Sequence, residues 1–179
     1  MNTPSDTEIK IHNFAANISG ALRDCFTTNR LDNYFSIPSD QAQQGAQSGE
    51  IVTALGAAIN WGQRPDTGAV VADAYNFTTT VKLRTQRPTD GPSGLVPAIL
   101  SQHQQDASLI LTLADINEDS AGMNTTLRGP FGVENLPYYS VKFFNLQSCV
   151  PYVDWEYLQD VMEITWQGQF SIIPTAWGS

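Results

Sequence analysis

The sequence has little charge and few cysteines, and its positive charges are especially scarce. Only 15% of the 179 residues are charged, and nine Lys and Arg residues stand against 18 Asp and Glu residues, for a net charge of -9. This balance disfavours binding to nucleic-acid phosphates and to anionic membrane surfaces. We expect Cys25 and Cys149 to be reduced thiols, because a chain of this size builds a core without disulfides.

The chain also lacks a long apolar run, a secretory signal and the common catalytic motifs. No segment approaches the ~20 apolar residues that span a bilayer, and residues 1–19 have no basic start followed by an apolar core. GxxxxGK, GxGxxG and GxSxG patterns are absent, and His12 and His103 stand in no cluster with metal-ligand spacing. We therefore predict a non-enzymatic protein with no catalytic residue, cofactor or metal site, made and kept in a cytoplasm.

Uncharged polarity takes the place of charge. The chain has 11 Asn, 13 Gln, 13 Ser and 16 Thr residues, so its surface is built largely from amides and hydroxyls. These groups make many weak hydrogen bonds without a strong electrostatic field. At 19.6 kDa the chain fits one core, and we expect residues 1–179 to form a single domain.

Two helices are predicted from apolar spacing. Between Ile11 and Phe26 the apolar residues recur at intervals of one and three, which places them on one face of an amphipathic helix. A second, short helix is predicted for 95–105, where proline at position 97 is tolerated in the first turn. The segment 109–114 fits either a brief strand or a continuation of this helix. The type of the 50–60 element stays open, since its alanines favour helix and its start favours strand.

Strands are predicted where apolar and polar residues alternate. The alternation is strong in 75–86 and in 161–174, and it is also present in 138–147. Loops are expected at 40–49, 63–68 and 115–132, and an exposed connection at 149–160. Together these elements predict an α+β fold: an antiparallel or mixed β-sheet packed with an N-terminal amphipathic helix and one further short helix.

The loop 115–132 begins with a partial calcium-binding pattern. Asp115, Asn117 and Asp119 have the alternate spacing of a calcium loop, in which side chains two apart converge on one ion. Such a loop also requires Gly at its sixth position and Glu at its twelfth, where this chain has Ser120 and Thr126. We interpret the segment as a solvated acidic turn.

Charges near the predicted strands separate by sign. Three of the nine basic residues lie within six positions of one another on one strand and its exit, and every charge after residue 150 is negative. A positive edge that meets a negative edge on a neighbouring copy would form a head-to-tail ring, although scattered solubilising charges would look the same. The candidate interface residues are these cations, two of the acids and their aromatic neighbours: Lys82, Arg84, Arg87, Asp154, Trp155, Glu156 and Tyr157.

The order of the elements resembles a known family. An N-terminal amphipathic helix is followed by YNFTTTVKLRTQRPTDG, LVPAILSQHQQ and a closing ITWQGQFSIIPTAW. This order is similar to that of the tail terminator and neck (head-tail completion) proteins of tailed bacteriophages. The resemblance implies a virion structural subunit, assembled in the host cytoplasm, that forms a homo-oligomeric ring, commonly a hexamer. Such a ring caps the tail tube, stops its growth and docks to the head-tail connector, and DNA passes through its lumen without specific binding.

Other functions stay open beside this one. A different phage tail, neck or baseplate protein would stack without limit instead of closing a ring. A carbohydrate-binding module would use Trp155, Tyr157 and Trp177 as stacking platforms. A small enzyme with an unrecognised site is a further alternative, and Asp154 with Glu156 would be its acid pair if it acted on glycosides.

Overall fold

Helices cover one face of a single four-stranded antiparallel sheet. The computed structural model describes residues 6–35, 46–63, 70–88, 94–113 and 139–172, with side chains for 13–35, 46–57, 74–88, 94–112 and 144–171. The elements follow in the order α1 (Asp6–Phe26), a kinked segment (Thr27–Leu31), α2 (Asp32–Phe35), β1 (Gln47–Gln63), β2 (Val70–Gln86), α3 (Pro97–Leu113), β3 (Tyr139–Asp154) and β4 (Gln159–Ile172). Every neighbouring pair in the strand order β1-β2-β4-β3 is antiparallel, which confirms the predicted α+β fold.

The two central strands give the sheet one apolar face. In β2 the side chains of 77, 79, 81, 83 and 85 are buried, while those between them are partly or fully exposed. β4 lies in register with β2, so that Val81 stands opposite Ile164 and Leu83 stands opposite Met162. Inward-facing residues of both strands therefore form one continuous apolar surface.

Helix α1 packs its apolar stripe onto this surface. The ring of Phe14 stacks on Phe170 with centroids 3.6 Å apart and meets Phe77 edge-on at 4.9 Å. Ser19 lies over the first strand, where its hydroxyl donates to that of Thr53 at 2.9 Å. The predicted helix is confirmed: the described residues of its apolar stripe are buried except for the partly exposed Ala15, and Ala16, outside the stripe, is exposed.

The segment 30–35, after α1, completes the core. No sequence pattern predicts its burial. The chain turns at Arg30, whose φ of 72° is in the left-handed region, and then buries Leu31, Tyr34 and Phe35. The ring of Phe35 lies directly on the backbone of Gly49, where any Cβ would collide with it. Glycine at this position therefore lets α2 approach β1 closely.

Helix α3 covers the other half of the apolar face. It begins at Pro97, as expected for proline in a first turn, and it continues to Leu113. The segment 109–113 is thus a continuation of the helix, and the strand alternative is wrong. His103, Ala107 and Ile110 are buried beneath it.

The remaining differences from prediction concern the strands at the sheet edges. The 50–60 element, whose type the sequence leaves undecided, is part of strand β1. This strand also includes residues 47–49 of the predicted loop 40–49, and residues 40–45 of that loop lie outside the described residues. In β3 a bulge between Val141 and Phe143 breaks the predicted alternation, and Phe144 is buried. The expected connection at 149–160 is mostly strand, with only 155–158 as a turn. The first residue of the predicted loop 63–68 is the last residue of β1. The rest of that loop, the predicted loop 115–132, the partial calcium pattern and Trp177 lie outside the described residues.

Candidate assembly surface

Exposed apolar side chains concentrate at the two edges of the sheet. The face of the sheet that the helices do not cover is called the open face. Each edge strand exposes one large apolar residue on the open face and one on the helix-covered side, as shown by the register with the central strands. On the turn between β3 and β4, Trp155 is 58% exposed and Tyr157 is 62% exposed. The exposed large apolar residues among the described side chains are Val52 and Leu55 on β1, Leu146 and Val150 on β3, and Trp155 and Tyr157 on the turn.

The two edges carry features that restrict backbone pairing. Pro151 on β3 has no N–H to donate, and a bulge between Leu146 and Ser148 interrupts the same strand. A bulge between Leu55 and Ala58 interrupts β1. Features of this kind limit open-ended strand addition. A contact at these edges would therefore depend mainly on side chains.

The open face between the edges is polar, and Lys82 and Arg84 on it are paired with acids. Lys82 Nζ lies 3.3 Å from Glu163 Oε2, and Tyr152 donates its hydroxyl to the same oxygen at 3.3 Å. Arg84 pairs with Glu50 across the β1–β2 ladder. Burial works to lower the pKa of Lys82, but hydrogen bonding to Glu163 and the nearby Tyr152 outweigh it and raise that pKa. The two cations lie on the open face as predicted, each with an acid partner from its own chain.

Hydroxyls and amides fill the rest of the open face. Thr80 and Thr165 stand opposite each other on the central strands with their hydroxyls 3.4 Å apart. Gln169 extends the row, and its amide nitrogen lies 3.5 Å from the Asn76 side-chain oxygen. This surface offers many neutral hydrogen-bonding groups, in keeping with the composition of the sequence.

Arg87 does not belong to an exposed basic patch, and that part of the prediction is wrong. Its side chain is buried, its Nε lies 3.3 Å from Asp160 Oδ2, and its guanidinium also donates to the carbonyl of Gly94. Trp155 covers the guanidinium, with its ring centroid 5.2 Å away. Because Asp160 is 1% exposed, it is likewise removed from the predicted acidic edge. This ion pair joins the end of β2 to the start of β4 from inside.

The turn after β3 is held in one conformation by hydrogen bonds from its backbone to the side chain of Asp154. Asp154 Oδ1 accepts hydrogen bonds from the amides of Glu156 and Tyr157, at 3.1 and 3.2 Å. Leu158 closes the turn with a φ of 51°. The turn projects Trp155, Glu156 and Tyr157 into solvent, so these three predicted interface residues are brought together at one corner of the sheet.

A buried polar cluster lies under the same end of the sheet. His103 Nε2 is 2.8 Å from the hydroxyl of Thr85, and Tyr34 donates to Asp106 at 2.6 Å. Burial lowers the pKa of His103, although the charges of Asp106 and Asp160 work in the opposite direction. Burial and the neighbouring Asp106 raise the pKa of Tyr34. These contacts tie α2 and α3 to the sheet.

The two cysteines lie apart from each other, one on α1 and one on β3. Both cysteines are free thiols; burial raises the pKa of Cys25 to about 11 and also raises that of Cys149. Within the described ranges, His, Cys, Asp and Glu side chains form no group of three or more that could hold a metal ion. The helices of that part of the chain include none with the length and apolarity needed to cross a membrane.

Comparisons with known proteins leave the family open. A scan against protein-family models finds no match, and a search of curated proteins finds none either. Sequence patterns do not mark the four apolar edge residues, because the two residues of each edge lie on opposite faces of the sheet and a bulge interrupts each strand beside Leu55 and Leu146.

Proposed function

We propose that this chain is a structural subunit that assembles head to tail through the edges of its sheet, as a tail terminator-like ring protein of a bacteriophage tail. The observation that supports this function is the placement of Val52 and Leu55 on one edge and of Leu146 and Val150 on the other. Single exposed apolar residues are common, but here each edge carries one on each face of the sheet. Two different apolar edges favour a heterologous contact, which closes into a ring when the rotation allows.

The sheet register relates the two edges on the open face. Val52 pairs with Thr80 on β2. Val150 pairs with Glu163, which in turn pairs with Lys82, two residues further along β2 than Thr80. A neighbouring copy therefore brings Val52 level with Val150 when it is shifted by two residues along the strands, which is about 7 Å.

The helix-covered side shows the same offset. Leu55 pairs with Phe77, while Leu146 pairs with Trp166 and so stands level with Thr79, again two residues further along β2. One rigid shift between neighbouring copies thus aligns both apolar pairs at once. Such a shift is compatible with a closed ring when the strands are tilted from the ring axis, as they are in a closed sheet. The edges are complementary in position as well as in polarity.

Strand direction agrees with this arrangement. β1 and β3 run in opposite directions, because each neighbouring pair in the sheet is antiparallel. Neighbours in a six-membered ring differ by a rotation of about 60°, which leaves the ends of their sheets on the same side. In such a ring β1 of one copy lies antiparallel to β3 of the next.

The polar open face suits the lumen of a ring through which DNA passes. Among the side chains that the structure describes, its two cations are neutralised by Glu50 and Glu163, and most of the other groups are hydroxyls and amides. Affinity for a nucleic-acid backbone comes mainly from unpaired Lys and Arg residues. A face of this kind would let a duplex slide, while the helices form the outside of the ring.

The test is the solution mass of the whole chain, measured by size-exclusion chromatography with light scattering over a range of concentration and salt. We expect a closed assembly near six subunits, and Val52→Lys or Val150→Lys should shift it to monomers. Thr78→Lys is the matched control, because it adds the same charge at an exposed position on the open face of a central strand. A wild-type monomer at every concentration would overturn the proposal, and so would a mass that grows without limit.

A second candidate function is favoured by the exposed rings of Trp155 and Tyr157, which lie two residues apart on a fixed turn. Such rings can serve as a sugar-stacking platform. A glycan-binding module would show quenching of tryptophan fluorescence by soluble glycans, and Trp155→Ala would abolish the quenching. We expect no such change, since one face of Trp155 already covers Arg87.

A further inference from the structure

We infer that Arg30 of one copy binds the turn 155–158 of the next copy, with Glu156 as its charge partner. This inference rests on the ring contact proposed above and names the residues that add specificity to it. Its basis is the chemistry of the turn, the placement of the exposed arginines, and the two-residue offset between the edges.

The turn has the composition of an arginine-binding surface. Glu156 is exposed between Trp155 and Tyr157, and within the described part of the chain its carboxylate has no ion-pair partner. The carboxylate of Asp154 accepts hydrogen bonds from the turn amides, which fixes the conformation of the turn. A guanidinium can pair with a carboxylate and at the same time lie against an aromatic ring. The turn is therefore preorganised for a cationic side chain.

The cations of the described side chains fall into two groups. Lys82, Arg84 and Arg87 each have an acidic partner in the same chain. Arg23 and Arg30 are exposed, and no acid among the described residues pairs with either. Arg30 also has a φ of 72°, a conformation that non-glycine residues rarely adopt. This turn separates Arg30 from Arg23 in position, because Arg30 leads into α2 whereas Arg23 lies within α1.

The location of Arg30 follows from the contacts of α2. The residue directly precedes the buried Leu31 and α2, where the side chain of Asn33 donates to that of Gln47 at the start of β1. The α2 helix is therefore fixed to the outer strand on the β1 side of the molecule. Glu156 lies beyond the other outer strand, at the end of β3.

The two-residue offset between copies places α2 of one copy beside the turn 155–158 of the next. Gln47 pairs with Thr85, whereas Asp154 stands level with Gln86 through their common partner Gln159. A shift of two residues moves Gln47 of the next copy from the level of Thr85 to the level of residue 87. This level is one residue beyond Asp154, where the turn 155–158 begins. The same shift that aligns the apolar pairs thus brings α2 and Arg30 beside Glu156.

The experiment is a charge exchange in the full-length chain, read as the concentration dependence of the solution mass. We expect Arg30→Glu and Glu156→Arg each to weaken assembly at least about tenfold, and the double variant to recover most of that loss. Arg30→Asn removes the charge while keeping a residue that tolerates the left-handed backbone, so its weaker assembly would not come from misfolding. Arg23→Glu is the matched control and should leave assembly unchanged.

The outcomes separate this inference from the ring proposal. A wild-type ring that Arg30→Glu and Arg30→Asn leave intact would overturn the Arg30 contact and keep the ring. Loss of assembly in both charge variants without recovery in the double variant would overturn the pairing of these two residues. A wild-type chain that stays monomeric would overturn both the ring and the contact.

Discussion

The central strands and the edge strands of this sheet differ in how completely their side chains are buried. Along β2 and β4 the inward positions from Phe77 to Thr85 and from Met162 to Phe170 are buried without a gap. On the edge strands the described buried apolar residues are Ile51 and Phe144. The centre is therefore organised by packing, while the edges leave apolar surface available to another molecule.

The largest effect on stability is expected from the centre. Phe77 contacts both Phe14 and Phe144, so Phe77→Ala removes an aromatic side chain from the middle of the core. We expect this variant to lose about 3–5 kcal/mol of unfolding free energy in denaturant titrations. Leu146→Ala, on the exposed edge, should cost less than about 1 kcal/mol. Equal losses at the two positions would contradict the distinction between centre and edge.

The same contrast separates two ion pairs of the central strands. The Arg87–Asp160 pair is buried, whereas the Lys82–Glu163 pair is about one-third exposed. Asp160→Asn should destabilise the protein by about 3 kcal/mol, because it leaves Arg87 charged in the interior. Glu163→Gln should cost less than about 1 kcal/mol, since solvent screens an exposed pair.

A double variant checks the cause of that loss. Arg87→Met with Asp160→Leu removes both buried charges together and should recover much of the stability that Asp160→Asn loses. Thermal unfolding of the four proteins is the measurement. If the double variant is no more stable than Asp160→Asn, packing around Trp155 and not charge burial sets the energetics of this corner.

Sequence reasoning succeeded where the chain alternates strongly and failed where the sheet ends. The patterns of α1, β2 and β4 predicted their faces, because both sides of these elements meet a defined environment. The sequence of β1 fits either a helix or a strand, and the end of β3 has the pattern of a connection, because an edge strand needs no strict alternation. The burial of Arg87 was also missed, since a local pattern does not reveal a partner 73 residues away at Asp160.

Stability should also depend on pH through the buried end of the sheet. Burial lowers the pKa of His103 in the folded protein, while the unfolded chain titrates near 6.5. Below that pH the unfolded state binds more protons, so stability is full above pH 6.5 and falls as the pH drops toward the folded pKa. The groups that face His103 are Thr85, Asp106, Asp160 and the Tyr34 ring.

Denaturant titrations between about pH 7.5 and pH 5.5 measure this dependence, because most carboxylates stay ionised over that range. His103→Gln serves as the reference, since it keeps a polar side chain and does not titrate. The difference in unfolding free energy between wild type and His103→Gln should shrink as the pH falls. A difference independent of pH would show that the ring is protonated equally in both states.

The smallest effect on stability is expected at the edge itself, and it sharpens the comparison most. Val150→Thr keeps a β-branched side chain of similar shape at a position that is 50% exposed. The unfolding free energy of the monomer should change by less than about 0.5 kcal/mol. Assembly should nevertheless require a higher protein concentration, because the hydroxyl must lose water when Val52 of the next copy packs against it. If Val150→Thr changed stability as much as assembly, Val150 would belong to the core of its own subunit. An assembly surface is identified by residues whose substitution changes assembly but not the unfolding free energy of the monomer.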